Sequence, residues 1–288
     1  MPSFPIVDAH VHWWDPAAVP LPWLDEVPAL ARPFLPRDLA AAAQGTAIER
    51  IVLVEADVAL GRHLDEVLWA VGLAAVEPRL SAIVAHAPLE RGAAVEADLV
   101  ALRGLPLVRG VRRLLQGEAD DAFCLRDGFV EGVRLLPRFG FHFEICVHHR
   151  QLGAALELAR RCPEVRFVLD HVGKPAIRDR LLEPWRTQIA DLAALPNTVC
   201  KLSGLVTEAD HAAWTDAGLR PYVDHAVACF GAGRLMFGSD WPVATLACPY
   251  RRWVETLDAA LAGMDAGDLR RVYRENAIAW YRLEATNP

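Results

Sequence analysis

Along this chain, short runs of β-branched and aromatic residues alternate with longer stretches rich in Ala, Leu, Arg and Glu, from the first ten residues to the last twenty. Short apolar runs separated by amphipathic segments of ten or more residues are the sequence pattern of βαβ units around a parallel sheet. Eight strand candidates can be counted, at 6–11, 51–55, 82–86, 111–115, 143–147, 166–170, 198–202 and 235–238. Helices are predicted over 64–76, 93–102, 125–139, 152–161, 181–194 and 222–229, with two more, 250–262 and 268–281, closing the chain. Eight strands with helices between them predict an α/β fold, a (β/α)8 TIM barrel, which takes about 250 residues. No Gly/Ser-rich linker, low-complexity tract or short repeat interrupts the 288 residues, so a single domain over 1–288 is expected.

One region breaks the pattern. Residues 15–37 hold six prolines and cannot form a regular helix. An extended loop after the first strand is predicted there, opening on the face where barrel enzymes carry their chemistry. Its neighbours Trp14 and Trp23 either cover a substrate or simply pack the loop onto the barrel.

Candidate chemistry begins in Asp8-Ala9-His10-Val11-His12. Strand alternation sends His10 and His12 to one face and Val7 and Val11 toward the helices. Two imidazoles a residue apart on a strand can share one divalent ion, although a His-x-His pair alone is commonly structural. Partners appear where later apolar runs stop, at His171 in Leu169-Asp170-His171-Val172-Gly173-Lys174-Pro175 and at Asp240 in Phe237-Gly238-Ser239-Asp240-Trp241-Pro242. Strand ends of a barrel share one mouth, so His10, His12, His171 and Asp240 are expected to converge although they are far apart in sequence. A helix N-cap is the ordinary alternative for Asp240.

Composition narrows the function. The apolar content of 53% and charged content of 23% are those of a globular protein, and the net charge of −7 with no long basic run argues against nucleic acid as a partner. No apolar run is long enough to cross a bilayer, and the N-terminus does not read as a signal peptide, so a cytoplasmic location is expected. Six scattered cysteines without a Cys-x-x-Cys pair predict reduced, mostly buried thiols. Neither a Gly-x-Ser-x-Gly elbow nor a Gly-x-Gly-x-x-Gly fingerprint is present.

The motifs together resemble the amidohydrolase superfamily, in particular its branch of L-fuconolactone, L-rhamnonolactone and 2-pyrone-4,6-dicarboxylate lactonases. The resemblance rests on the segments around His10 and His12, Gly110 to Gln116, Leu169 to Pro175, Lys201 to Leu205 and Phe237 to Val243, and it covers nearly the full length. It implies a (β/α)8 hydrolase that opens a small sugar-acid lactone. Asp240 is then the general base, and His10, His12 and His171 surround a metal or the substrate carbonyl. The fourth strand offers Arg112 and Gln116 where the wider superfamily has a bridging metal ligand. Arginine cannot ligate a cation, so at most one divalent metal is expected, zinc by preference, and a reaction without metal stays open.

Strand parity points Arg112 rather than Arg113 inward, with Gln116 on the same face. Arg112, Gln116 and His148 are the candidate donors to substrate oxygens, and Trp14 and Trp241 the candidate stacking surfaces. Lys201 either points into the barrel or pairs with an acid such as Glu144. Two rival readings share the scaffold: a metal-dependent decarboxylase of an aromatic acid, and a sugar-acid binding protein without turnover. A small-molecule ligand is expected in each case, with no membrane partner; assembly into a homo-oligomer is left open.

Overall fold

The computed structural model of the protein describes residues 2–283. Its eight strands are β1 Ile6–Val11, β2 Ile48–Val54, β3 Leu80–His86, β4 Val108–Arg112, β5 His142–Ile145, β6 Phe167–Leu169, β7 Thr198–Leu202 and β8 Leu235–Phe237. They lie side by side in chain order, each pair parallel. Between and after them run α1 Pro36–Ala42, α2 His63–Leu73, α3 Glu96–Arg103, α4 Asp127–Leu135, α5 Leu152–Arg161, α6 Trp185–Ala193, α7 Asp216–Phe230, α8 Tyr250–Ala260, α9 Ala266–Arg270 and α10 Asn276–Tyr281. This is the (β/α)8 barrel that the alternation predicts.

The seam of the barrel lies at the residues singled out for chemistry. Between β8 and β1 the regular ladder gives way to two backbone hydrogen bonds, from Asp240 N to His10 O at 2.9 Å and from His12 N to Trp241 O at 2.7 Å. Closing the barrel therefore fixes the main chain of His10, His12 and Asp240 together. The buried Asp8 carboxylate stitches the same seam, accepting hydrogen bonds from Ser239 N at 2.8 Å and from the Tyr250 hydroxyl at 3.0 Å.

Strict alternation along β1 is corrected by the structure. Val7 and Ala9 pack with Val52, Val84, Val168 and Met236 in the inner cluster, whereas Val11 belongs to the layer between strands and helices. The register of β1 against β2 shifts between Asp8 and Val11. An irregularity of that kind inserts an extra residue and re-aims the side chains beyond it, so His10 and His12 still share one face although Val7 and Val11 do not.

Other differences are local. Region 15–37 is extended as expected, with two short 3-10 turns, Pro22–Glu26 and Pro28–Leu30, and a bridge between Trp14 and Phe34. The helix α1 has no counterpart among the predicted helices. It begins on Pro36 at its first turn, with the Asp38 carboxylate accepting from Leu35 N at 2.9 Å, and a proline at that position is compatible with a helix. The helix predicted over 268–281 is interrupted by a wide π-helical turn at Arg271–Glu275, which seats Tyr273 against Phe4 and Phe237. Among the described residues, no helix is long and apolar enough to cross a membrane.

Candidate active site

Four side chains from three strand ends meet at the barrel mouth. His10 Nε2 lies 3.1 Å from His12 Nε2 and 3.8 Å from Asp240 Oδ1, and His12 Nε2 is 3.6 Å from the same oxygen. His171 Nε2 approaches that oxygen at 3.9 Å. His10, His12 and Asp240 form the compact set of potential metal ligands; His171 groups instead with His10 and Asp170. Tetrahedral zinc with bonds near 2.1 Å separates its ligands by about 3.4 Å, so the three-atom set has the spacing such an ion requires. At His12 the ring is oriented for that role. Its Nδ1 lies 2.8 Å from Val54 O, which only a protonated Nδ1 can satisfy, and this leaves Nε2 with a free lone pair toward the site.

Below the mouth, a second group of charges fills the barrel axis. The Arg112 guanidinium meets Glu55 Oε1 at 2.6 Å, Glu55 O at 2.5 Å and Asp170 Oδ2 at 3.2 Å. The Lys201 ammonium meets Glu144 Oε2 at 2.6 Å, Asp170 Oδ1 at 3.1 Å and His10 Nδ1 at 3.1 Å. Lys201 thus both points inward and pairs with Glu144. Counting Asp240, this axis holds four carboxylates against two cations, a formal excess of two negative charges in a buried space. A divalent cation at the histidines would balance it, and uncompensated buried charge is costly.

Protonation is set by the surroundings. Burial and the nearby Lys201 hold the His10 imidazole neutral, and burial takes His171 down to about 4 despite the carboxylates of Asp240 and Asp170. Burial acts to raise the Asp240 carboxyl, but His171, His12 and His10 outweigh it and hold the group well below the usual carboxylate range. At neutral pH His10 and His171 are therefore neutral imidazoles beside an ionised carboxylate. These are the forms that can bind a divalent cation or accept a proton from water.

Delivering these groups requires unusual backbone. Asp240 sits at φ 57, and after β6 the chain makes a left-handed turn in which His171, Val172, Gly173 and Lys174 all have positive φ. Such conformations cost roughly 1–3 kcal/mol each for residues other than glycine, and most for a β-branched residue such as Val172. The turn is held by the Trp185 indole donating to Val172 O at 2.7 Å and by His149 N donating to Lys174 O at 3.2 Å. Gly204 explains its own identity. It has φ 61, and a Cβ there would stand 2.4 Å from His171 Nδ1 and 3.1 Å from Asp240 Oδ2.

The mouth opens into a cavity of about 190 Å³ walled by His12, Trp14, Arg112, Gln116, His171 and Asp240, together with Trp23, Asp57, Cys146 and Lys174. That is smaller than the ~300 Å³ where sites for drug-sized ligands begin, and it suits a molecule of one small ring. Three expected substrate contacts need revision. Trp241 is buried against Phe34 and does not wall the cavity, because the backbone reversal at Asp240 turns it outward; Trp23 takes a place there instead. His148 is half-exposed beyond the cavity wall, 3.9 Å from Glu208, because β5 ends at Ile145 and alternation no longer governs it. Arg112 lines the cavity but is held on the Glu55 and Asp170 side, while Arg113 pairs with Glu90 and Glu118. Asp57, at φ 54, and Lys174 carry no signal in strand parity, since both sit on left-handed loop backbone.

Comparison with known proteins shows the family and the fold. The chain is 37% identical over 268 residues to an L-fucono-1,5-lactonase of Burkholderia multivorans, covering 87% of this chain and 88% of the relative. It is 32% identical to an L-fucono-1,5-lactonase of Burkholderia ambifaria, covering 96% of each. Among solved structures, an amidohydrolase from Burkholderia multivorans with bound zinc superimposes with a TM-score of 0.86 at 34% identity, covering 98% of this chain and 100% of that one. The sequence profile described as amidohydrolase matches residues 7–283, and the chain belongs to the amidohydrolase family.

Proposed function

We propose that this protein is a hydrolase that opens the lactone ring of a small sugar acid, of the L-fuconolactone or L-rhamnonolactone type. The observation that carries the reading is the ionised Asp240 carboxylate within 4 Å of three imidazoles, on the wall of a cavity sized for one ring. Support for the substrate class comes from the lactonase relatives.

In this reaction Asp240 orients a water molecule and takes its proton as the water oxygen bonds to the lactone carbonyl carbon. The carbonyl becomes a tetrahedral oxyanion. Asp240 then returns the proton to the ring oxygen as the carbon–oxygen bond of the ring breaks, giving the open hydroxy acid. His171, beside Asp240 and 2.9 Å from Ser203 Oγ through its Nδ1, hydrogen-bonds the carbonyl oxygen in this reading. His10, His12 and Asp240 would hold one divalent metal, zinc by the chemistry of the donor set, and a bound ion supplies Lewis-acid polarisation of an oxygen at that position.

The test is a panel of aldonolactones and aryl carboxylates at equal concentration, followed by proton release and by carbon dioxide evolution. Hydrolysis of aldonolactones is expected. Turnover of aryl acids alone, with carbon dioxide released, would replace the reading with the decarboxylase one.

A further inference from the structure

Lys174 has no part in the steps above, yet the fold goes to some length to present it. It ends the strained left-handed turn that begins at His171, three residues earlier, so one distorted segment delivers both side chains to the same cavity. Its ammonium lies 2.6 Å from Gln116 Oε1 and 3.6 Å from Glu208 Oε1, on loops that come after β4 and β7. We infer that Lys174 and Gln116 form a paired donor site that reads the ring hydroxyls of the substrate and so sets specificity for a polyhydroxylated lactone. The inference rests on the lactonase reading and adds the residues that choose among lactones.

Donor counting supports it. A lysine ammonium has three N–H groups and no acceptor, so the oxygen of Gln116, and not its nitrogen, must face Lys174. That orientation leaves the two N–H groups of Gln116 Nε2 for a ligand. Of the three ammonium protons, one serves Gln116, one is directed at the longer Glu208 contact, and the third is left for the cavity that both residues wall. Donors of this kind match the lone pairs of neighbouring hydroxyls. An unreacted lactone is neutral, so a cation in its site answers to hydrogen-bonding oxygens and not to substrate charge. Arg112 is committed mainly elsewhere, with three of its five N–H groups given to Glu55 and Asp170.

The experiment compares L-fucono-1,5-lactone with δ-valerolactone, which has the same six-membered ring and no hydroxyls. Lys174→Met should lower kcat/KM for the hydroxylated lactone roughly 10- to 100-fold, mostly through KM, and change δ-valerolactone hydrolysis by less than about threefold. Gln116→Leu, which leaves the lysine beside Glu208, should show the same split and serves if the first variant does not fold. Equal loss on both lactones, or no loss on either, overturns the inference. Wild-type protein that opens neither lactone overturns the lactonase reading itself, and this inference with it.

Discussion

Two groups of ionisable side chains stand one above the other on the barrel axis, and they differ in what their polar atoms face. In the lower group, Glu55, Arg112, Glu144, Asp170 and Lys201 answer one another at 2.6 to 3.2 Å, and the Tyr281 hydroxyl donates to Glu144 from below. In the upper group, His10, His12, His171 and Asp240 approach one another only at 3.1 to 3.9 Å and line or border a cavity. Charges that satisfy each other build a scaffold, because none is left to act on a ligand. Groups held close with lone pairs unspent are what metal binding and proton transfer require. His10 joins the two, with Nδ1 toward Lys201 and Asp170 and Nε2 toward the mouth.

The largest expected effect comes from breaking the lower group. Lys201→Met removes the cation between two buried carboxylates, and losing one partner of a buried pair typically costs about 3–5 kcal/mol. Chemical denaturation should show a loss of that size, with activity falling only through the loss of folded protein and through displacement of His10. A variant of unchanged stability would mean that Glu144 and Asp170 do not depend on the lysine, and the division between scaffold and site would fail.

A smaller effect should distinguish the upper group. If its unspent lone pairs accept zinc, the metal at about 100 times its dissociation constant raises stability by roughly 2.7 kcal/mol. Thermal melts with and without zinc should show the gain in wild type and not in a His12→Asn variant, and elemental analysis should find no more than one ion per chain. Two tightly bound ions, or equal stabilisation of both proteins, would contradict the ligand set read from the geometry.

How far the sequence could carry this picture depended on backbone regularity. The eight strands were legible because each is a short apolar run, His10 because it alternates with His12, and His171 and Asp240 because each stands just past the end of such a run. Boundaries slipped where the pattern was ambiguous: β4 begins at Val108 and ends at Arg112, earlier at both ends than the run suggests. Parity failed wherever the chain left the extended region. It misplaced Val7 across the irregularity in β1, put His148 in the site, and gave no hint of Lys174 or Asp57; Trp241, expected as a stacking surface, faces away from the cavity beyond the turn at Asp240. Residues at positive φ obey no two-residue period, and which of them reaches the cavity is decided by contacts such as the one from Trp185 to Val172 O. The pairing of Arg112 with both Glu55 and Asp170 was equally beyond pattern, since it joins three strands through side-chain geometry alone.

Asp240→Asn is the most direct test of the central claim, that the upper group does chemistry and the lower one only supports it. The substitution keeps the shape of the side chain and removes the proton acceptor. The account predicts that the variant melts within a few degrees of wild type and that kcat on L-fucono-1,5-lactone falls by on the order of 100-fold or more. Near-normal turnover by a correctly folded Asp240→Asn protein would contradict it.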